Sequence, residues 1–149
     1  MGSALFYHLT RSGPAQLLQT LLGKSLQAGW RVEVRGRDRA RQVGLDETLW
    51  LAEGFLPHGL AGGPHDARQP VLLTVEGQDA GNQPRCLIAV DGAEVQGAEC
   101  AALERACIVF DGNDPDALDR ARAQWRTLKA AGVTAEYWSE ADGRWERKQ

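Results

Sequence analysis

A phosphate-binding pattern is the first chemical signal in the chain, at Gly23-Lys24-Ser25. A P-loop also needs a glycine five residues before Gly23, because the backbone has to bend around the phosphates at that point. That position is Leu18, inside a leucine-rich helical pattern. No GxGxxG sequence follows the first predicted strand, where a dinucleotide site would require it. The sequence therefore argues against a nucleotide cofactor.

The histidines and serines do not form the pattern of a metal centre or an activated nucleophile. His8, His58 and His65 have no cysteine or paired carboxylate at a spacing typical of metal ligands. Ser12 and Ser25 lack the glycine-flanked turn of a hydrolase nucleophile. The residues therefore give no positive evidence for a catalytic residue, a metal or a cofactor.

A basic cluster near the C-terminus is more informative. Arg122, Arg126 and Lys129 stand at i, i+4 and i+7, so they share one helix face, with Trp125 at its border. This face could be solvated, above a core stripe of Leu118, Ala121, Trp125 and Leu128. It could also be a cationic groove that binds an acidic peptide ending in an apolar residue, because arginine binds carboxylates bidentately. On an acidic protein, such a concentration of basic charge favours the groove.

The stretch from Leu45 to Gly63 is unusually apolar and irregular. It begins as an acidic helical pattern that contains Trp50, and it continues through Phe55, Pro57 and His58 into glycines. Trp and Phe beside Pro are typical of the energetic centre of a protein interface. The same rings could instead cap one end of a sheet, and composition leaves the two interpretations equal.

Composition and charge argue against several other classes. A net charge of −3 argues against nucleic-acid binding by bulk charge, and no apolar run is long enough to cross a membrane. The N-terminus lacks the pattern of a signal peptide. Cys86, Cys100 and Cys107 have no CxxC spacing and suit small buried side chains in a reducing compartment. We expect a soluble, cytoplasmic protein.

Strands and helices alternate along the chain. Apolar or alternating runs predict strands at 4–9, 30–35, 71–75, 86–90, 107–110 and 134–139. Periodic apolar patterns predict helices at 14–28, within 94–105 and at 115–131, with a short helix or turn at 36–43. This order predicts an α/β sandwich with a largely parallel sheet. We expect one domain over residues 1–149, with 134–139 as an edge strand and about 140–149 as a frayed tail.

The central stretch resembles one protein family. LDETLW followed by FLPHGLAGG, a polar loop and PVLL is similar to the D-E-x-L-W, F-x-P-H-x-L-A-G pattern of the chi subunit of bacterial DNA polymerase III. The FYHL opening, the AGWRVEVR segment and the ARAQWRTLKAAG helix also stand where that family has equivalents. The resemblance implies a three-layer α/β sandwich of Rossmann-like topology without a nucleotide site.

The same resemblance implies a non-catalytic accessory subunit of the replicative polymerase, associated with the clamp loader. In that family one surface binds the psi subunit or, in some bacteria, a helicase partner. By position this surface corresponds to Trp50, Phe55 and Pro57, beside His58. A second surface binds the acidic, phenylalanine-terminated tail of single-stranded DNA-binding protein. DNA is then reached only indirectly, and no membrane is involved.

The tail-binding positions carried over from the family are Arg122, Trp125 and Arg126. Leu118 stands where some relatives have a lysine, and Tyr137 stands where a threonine lies near the pocket. These departures predict a pocket of different shape, with Lys129 or Arg120 compensating for the missing charge.

Two functions from other classes stay open. A nucleotide-dependent α/β enzyme would bind ATP or NAD tightly, and a direct nucleic-acid-binding protein would bind bare single-stranded DNA. A tethering subunit would do little of either, because it acts by raising the effective concentration of the polymerase near coated DNA.

Overall fold

The computed structural model describes residues 2–51, 56–140 and 144–149. Its strands are β1 (Ser3–Leu9), β2 (Val32–Gly36), β3 (Gly59–Leu60), β4 (Val71–Val75), β5 (Cys86–Ala89), β6 (Arg105–Asp111), β7 (Thr134–Ser139) and β8 (Glu146–Arg147). Its helices are α1 (Pro14–Gln27), α2 (Arg39–Leu51), α3 (Gly97–Ala102) and α4 (Pro115–Ala130), with a 3-10 turn at Asp66–Arg68.

The described strands form an eight-stranded sheet in the order β3-β4-β2-β5-β6-β1-β7-β8. Neighbouring strands run parallel from β3 to β7, and β8 runs antiparallel to β7. β1 and β2 lie in the same sheet but are not neighbours, because β6 and β5 lie between them. The predicted largely parallel sheet is confirmed.

Helices cover both faces of this sheet. Leucines of α1 and Leu49 of α2 pack with Cys107 and Val109 of β6 in one apolar cluster. Helices α3 and α4 pack with Ile108 and Phe110 of β6 in a second cluster on the other face. Since both faces are covered, successive residues of β6 are buried whichever way they point. The three-layer α/β sandwich is therefore confirmed.

The P-loop-like residues lie within a regular helix. Gly23, Lys24 and Ser25 belong to the second half of α1, and the buried Ser25 hydroxyl donates to the Leu21 carbonyl at 2.8 Å. Farther along, residues 39–43 of the predicted short helix or turn and the acidic pattern after it form one continuous helix, α2.

The C-terminal residues differ from the edge strand and frayed tail that the sequence predicted. Strand β8 pairs with β7, which therefore has a neighbour on each side. The Trp145 ring packs edge-on against Tyr7, with the ring centroids 5.5 Å apart, and Glu140 is buried. The charged composition of this segment predicted a frayed tail, because the partners of Glu140 and Trp145 lie far away in the sequence.

A buried ionic network joins β2 to α3. The Arg35 guanidinium donates to both carboxylate oxygens of Glu99, at 2.7 and 3.0 Å, and to Glu33 at 3.1 Å. The Glu33 carboxylate also accepts a hydrogen bond from the Thr74 hydroxyl at 2.7 Å. The Arg35 and Glu33 side chains are 12% and 6% exposed. Hydrogen bonds from Arg35 lower the pKa of Glu99 below its usual value.

We expect Arg35→Met to lower the free energy of unfolding by about 3–5 kcal/mol, because it leaves Glu33 buried without its ionic partner. Arg37→Met is the matched control. Its side chain is 42% exposed and lies 3.9 Å from Glu76, so its loss is expected to cost less than about 1 kcal/mol. Urea denaturation measures both, and equal effects would contradict the buried network.

The same network predicts a pH dependence. The pKa of Glu99 is lowered in the folded state. The stability that its ionised carboxylate contributes is therefore fully present above the unfolded pKa of about 4.3, and it is lost as the pH falls through the lower folded pKa. The stability difference between wild type and Arg35→Met is therefore expected to shrink in acid.

Candidate functional site

Aromatic rings form a continuous surface beneath α4. Parallel pairing places Phe6 of β1 beside Tyr137 of β7. Trp125 of α4 packs edge-on against both, with ring centroids 5.2 Å from Phe6 and 5.9 Å from Tyr137. Phe6 is fully buried, whereas Trp125 and Tyr137 are half-buried. Because Phe6 packs against Trp125 from the core side, the exposed part of the Trp125 ring faces solvent.

Basic side chains surround this aromatic surface. Arg122, Arg126 and Lys129 are exposed on α4, whose buried side carries Ala121 and Leu128. The ammonium of Lys129 lies 5.7 Å from the centroid of the Trp125 ring, a distance at which a cation is attracted to the face of an aromatic ring. The structure therefore brings Lys129 to Trp125, with Arg122 and Arg126 on the same exposed side of the helix.

His8 belongs to this surface, although sequence reasoning assigned it no role beyond that of a strand histidine. Its Nδ1 lies 2.6 Å from the Tyr137 hydroxyl, and its ring lies 5.2 Å from that of Phe110. Burial and the nearby positive charge of Arg122 lower the pKa of His8, while Asp111 opposes the shift. The strand alternation that places Phe6 and His8 on one face was the signal that could have found it.

Arg120 lies elsewhere. It is two residues before Arg122, so it projects from nearly the opposite side of α4. Arg120 lies against Gly92, where an added Cβ atom would be 3.2 Å from the Arg120 Cδ. Both residues line a separate groove of about 960 Å³, which Arg37 also lines. Of the two charges expected to compensate for Leu118, Lys129 is therefore the one that lies at the aromatic surface.

A second candidate surface lies on α2. Val43, Trp50 and Leu51 are the exposed large hydrophobic side chains of the described residues, at 37%, 53% and 87% exposure. The Trp50 ring stacks on His58, with the ring centroids 4.3 Å apart. Phe55 lies outside the described residues.

His58 is buried beneath Trp50 instead of being presented at the surface. Its Nδ1 lies 2.7 Å from the Leu56 carbonyl, and its Nε2 lies 3.1 Å from a carboxylate oxygen of Asp46. These contacts join the segment around the half-buried Pro57 to α2. His58 therefore supports Trp50 from below, which sequence reasoning did not distinguish from a direct contact role.

The described residues contain no cluster of histidine, cysteine, aspartate and glutamate that could hold a metal ion. Cys86, Cys100 and Cys107 are free and buried, as the sequence predicted. In the described part of the chain, no helix is long and apolar enough to cross a membrane.

Comparison with known families identifies the family of the chain. The model of the family described as DNA polymerase III chi subunit, HolC, matches residues 1–136. The chain belongs to the DNA polymerase III chi subunit family. Among curated proteins, no match was found. Chi is an accessory subunit of DNA polymerase III, which places the chain in DNA replication. The chi match includes α2 and α4 but ends one residue before Tyr137.

The electrostatics of the aromatic surface of this chi subunit can be tested without a partner. Arg122 disfavours the protonated form of His8, so we expect Arg122→Ala to raise the pKa of His8. Arg126→Ala, one helical turn farther along α4, is expected to leave it nearly unchanged. Histidine ring signals in an NMR pH titration measure the pKa, and equal shifts in the two variants would contradict this placement of Arg122.

Proposed function

We propose that this chi subunit connects the clamp loader of DNA polymerase III to single-stranded DNA-binding protein by holding the acidic C-terminal tail of that protein. The observation that supports the proposal is the set of exposed cations on the same side of α4 as the half-buried Trp125 ring, with Lys129 over that ring. This surface belongs to a chain whose net charge is −3. The basic charge is therefore a local feature, suited to an acidic segment instead of to nucleic acid in general.

The two ends of such a tail need different contacts. Arg122 and Arg126 would bind carboxylates of the acidic residues and of the chain terminus, since guanidinium groups donate bidentately. The terminal apolar side chain would pack on Trp125 and Tyr137. Leu118 is half-buried against the same cluster, which makes this pocket more apolar than one with a lysine at that position.

Tethering is the mechanism that follows. A subunit attached to the clamp loader at one surface and to the coat protein at the other keeps the polymerase close to coated single strands. The gain is in effective concentration, so catalysis remains with other subunits of the polymerase. DNA itself is reached indirectly, and this role places the chi subunit in the cytoplasm with the replication machinery.

The α2 surface is the proposed attachment point for the psi subunit or for another clamp-loader or helicase partner. Exposed apolar side chains grouped on one helix are typical of protein-binding surfaces. Trp50 is a side chain of the type that dominates interface energies, and its ring is already held by His58. Phe55 and Pro57 join this surface by family position.

We expect the double substitution Arg122→Ala with Arg126→Ala to weaken binding of a synthetic tail peptide at least tenfold, which corresponds to about 1.4 kcal/mol. Binding is also expected to weaken as salt is raised, because exposed charge pairs are screened. Fluorescence anisotropy with the C-terminal peptide of the coat protein from the same organism measures both effects.

Arg120→Ala is the matched control for this experiment, since it removes the same charge from the other side of α4. It is expected to change the affinity less than twofold. If the double variant, folded by circular dichroism, binds the peptide as tightly as the control does, the tail-binding assignment is wrong.

At the second surface we expect Leu51→Glu and Trp50→Ala each to abolish co-elution with purified psi or, where psi is absent, with the clamp-loader or helicase partner. Leu51 is 87% exposed, so its replacement does not disturb the core. Both variants should keep full affinity for the tail peptide.

Thr48→Ala is the control, because Thr48 stands two residues before Trp50 and so projects from nearly the opposite side of α2 from that ring; it should still co-elute in size-exclusion chromatography. Retained co-elution of Leu51→Glu and Trp50→Ala would exclude α2 as the attachment surface.

A further inference from the structure

The loop between β1 and α1 binds a carboxylate supplied by the same chain. The backbone N–H groups of residues 10, 11 and 12 donate to Oε1 of Glu140 at 3.0, 2.8 and 2.6 Å. The Ser12 hydroxyl donates to Oε2 of Glu140 at 2.7 Å. Consecutive N–H groups that converge on one oxygen form an anion-binding concavity. Glu140 is 4% exposed, so the carboxylate fills this concavity.

The position of this loop in the fold is that of a phosphate site. In nucleotide-binding α/β folds, the loop after the first parallel strand and the start of the next helix hold phosphate groups. Here Glu140 takes that position. Helix α1 has no acidic residue in its first turn and no side-chain cap at Gly13. The hydrogen bonds of Glu140 go to residues 10–12, which come before the Gly13 N-cap, so this carboxylate lies just ahead of the positive end of the helix.

The loop binds Glu140 in its ionised form. Burial alone would raise the pKa of Glu140, but the hydrogen bonds from Ser12, Arg11 and Thr10 outweigh it and lower the pKa to about 2. The loop thus favours a negatively charged oxygen over a neutral carboxyl group. That preference is a property of the donors, and it applies to any oxyanion that fits.

A route to the loop exists from the surface. Ser12 also lines a groove of about 480 Å³ between α1 and the C-terminal segment. Among the described residues that line this groove, the charged ones are Lys24, Arg105 and Glu136, whose formal charges leave one net positive charge. A small oxyanion entering this groove would meet a favourable potential on its way to Ser12.

We propose that the β1–α1 loop is an oxyanion-binding site which the chain fills with its own Glu140, and which accepts a free carboxylate or phosphate ion when that side chain is removed. Glu140 lies beyond residue 136, where the chi family match ends. The C-terminal segment therefore brings its own anion to the loop, closes the phosphate position of the fold, and places Trp145 against Tyr7.

Glu140→Ala tests the site by chemical rescue. The variant is expected to lose about 4 °C or more in Tm, and saturating inorganic phosphate or acetate should restore at least half of the loss. In ¹⁵N-labelled Glu140→Ala, the amide signals of residues 10–12 should shift saturably with the same ions. Wild type should show neither response, because its site is filled. Comparing phosphate with acetate distinguishes the two ion classes, and chloride at equal ionic strength controls for screening.

Glu146→Ala is the matched control, since it removes a carboxylate from the same segment that contacts Arg144 and Lys148 instead of the loop. Adding Ser12→Ala to Glu140→Ala should weaken binding of the ion about fivefold, which is the effect of losing one hydrogen bond. The proposal would be overturned if phosphate and acetate raised the Tm of Glu140→Ala no more than that of Glu146→Ala. It would also be overturned if these ions did not shift the amide signals of residues 10–12.

Glu140→Asp provides a second variant, whose carboxylate is one methylene shorter. It should have an intermediate Tm and a smaller, still saturable rescue. If Glu140→Ala does not fold even in phosphate and Glu140→Asp shows no rescue beyond that of Glu146→Ala, the proposal fails as well.

Discussion

The parallel pairing of β1 with β7 is the constraint on which the α4 surface and the Glu140 site both depend. It sets Phe6 beside Tyr137 and His8 beside Ser139. Equivalent residues of parallel neighbours share a face, so the aromatic rings of these strands meet beneath α4. The same register carries the chain from Ser139 directly to Glu140, next to the loop that follows β1. One strand pairing therefore positions two features, each of which joins residues more than 120 positions apart along the chain.

Local periodicity was sufficient to predict the helices, most strands and the basic face of α4, because those patterns depend only on residues close together in the sequence. Trp125 and Lys129 lie together because they are one helical turn apart. His8, Tyr137 and Glu140 could not be assigned in this way. Their partners are set by the order of strands in the sheet, which depends on long-range packing. The tail around Trp145 appeared solvated for the same reason, since its contacts are with β1 and β7.

At the carboxyl edge of the sheet, carboxylates of the chain lie where nucleotide-binding folds hold phosphate groups. Besides Glu140 at the loop before α1, Asp38 accepts from the Ala40 N–H at 2.8 Å at the start of α2. Asp114 accepts from the Asp116 N–H at 3.0 Å at the start of α4. These helix N-termini are the positions where phosphates bind in related architectures, and here carboxylates of the chain occupy them. The fold keeps its anion-attracting helix ends and satisfies them internally.

The sheet also separates the two proposed binding surfaces. Helix α2 contributes Leu49 to the cluster on one face, and α4 contributes Leu128 to the cluster on the other. Partners at Trp50 and at Trp125 would therefore approach from opposite sides and would not compete for space. Simultaneous occupancy is what a tether requires, because effective concentration rises only when both ends are bound at once. Two binding surfaces on opposite faces of one sheet would meet this requirement.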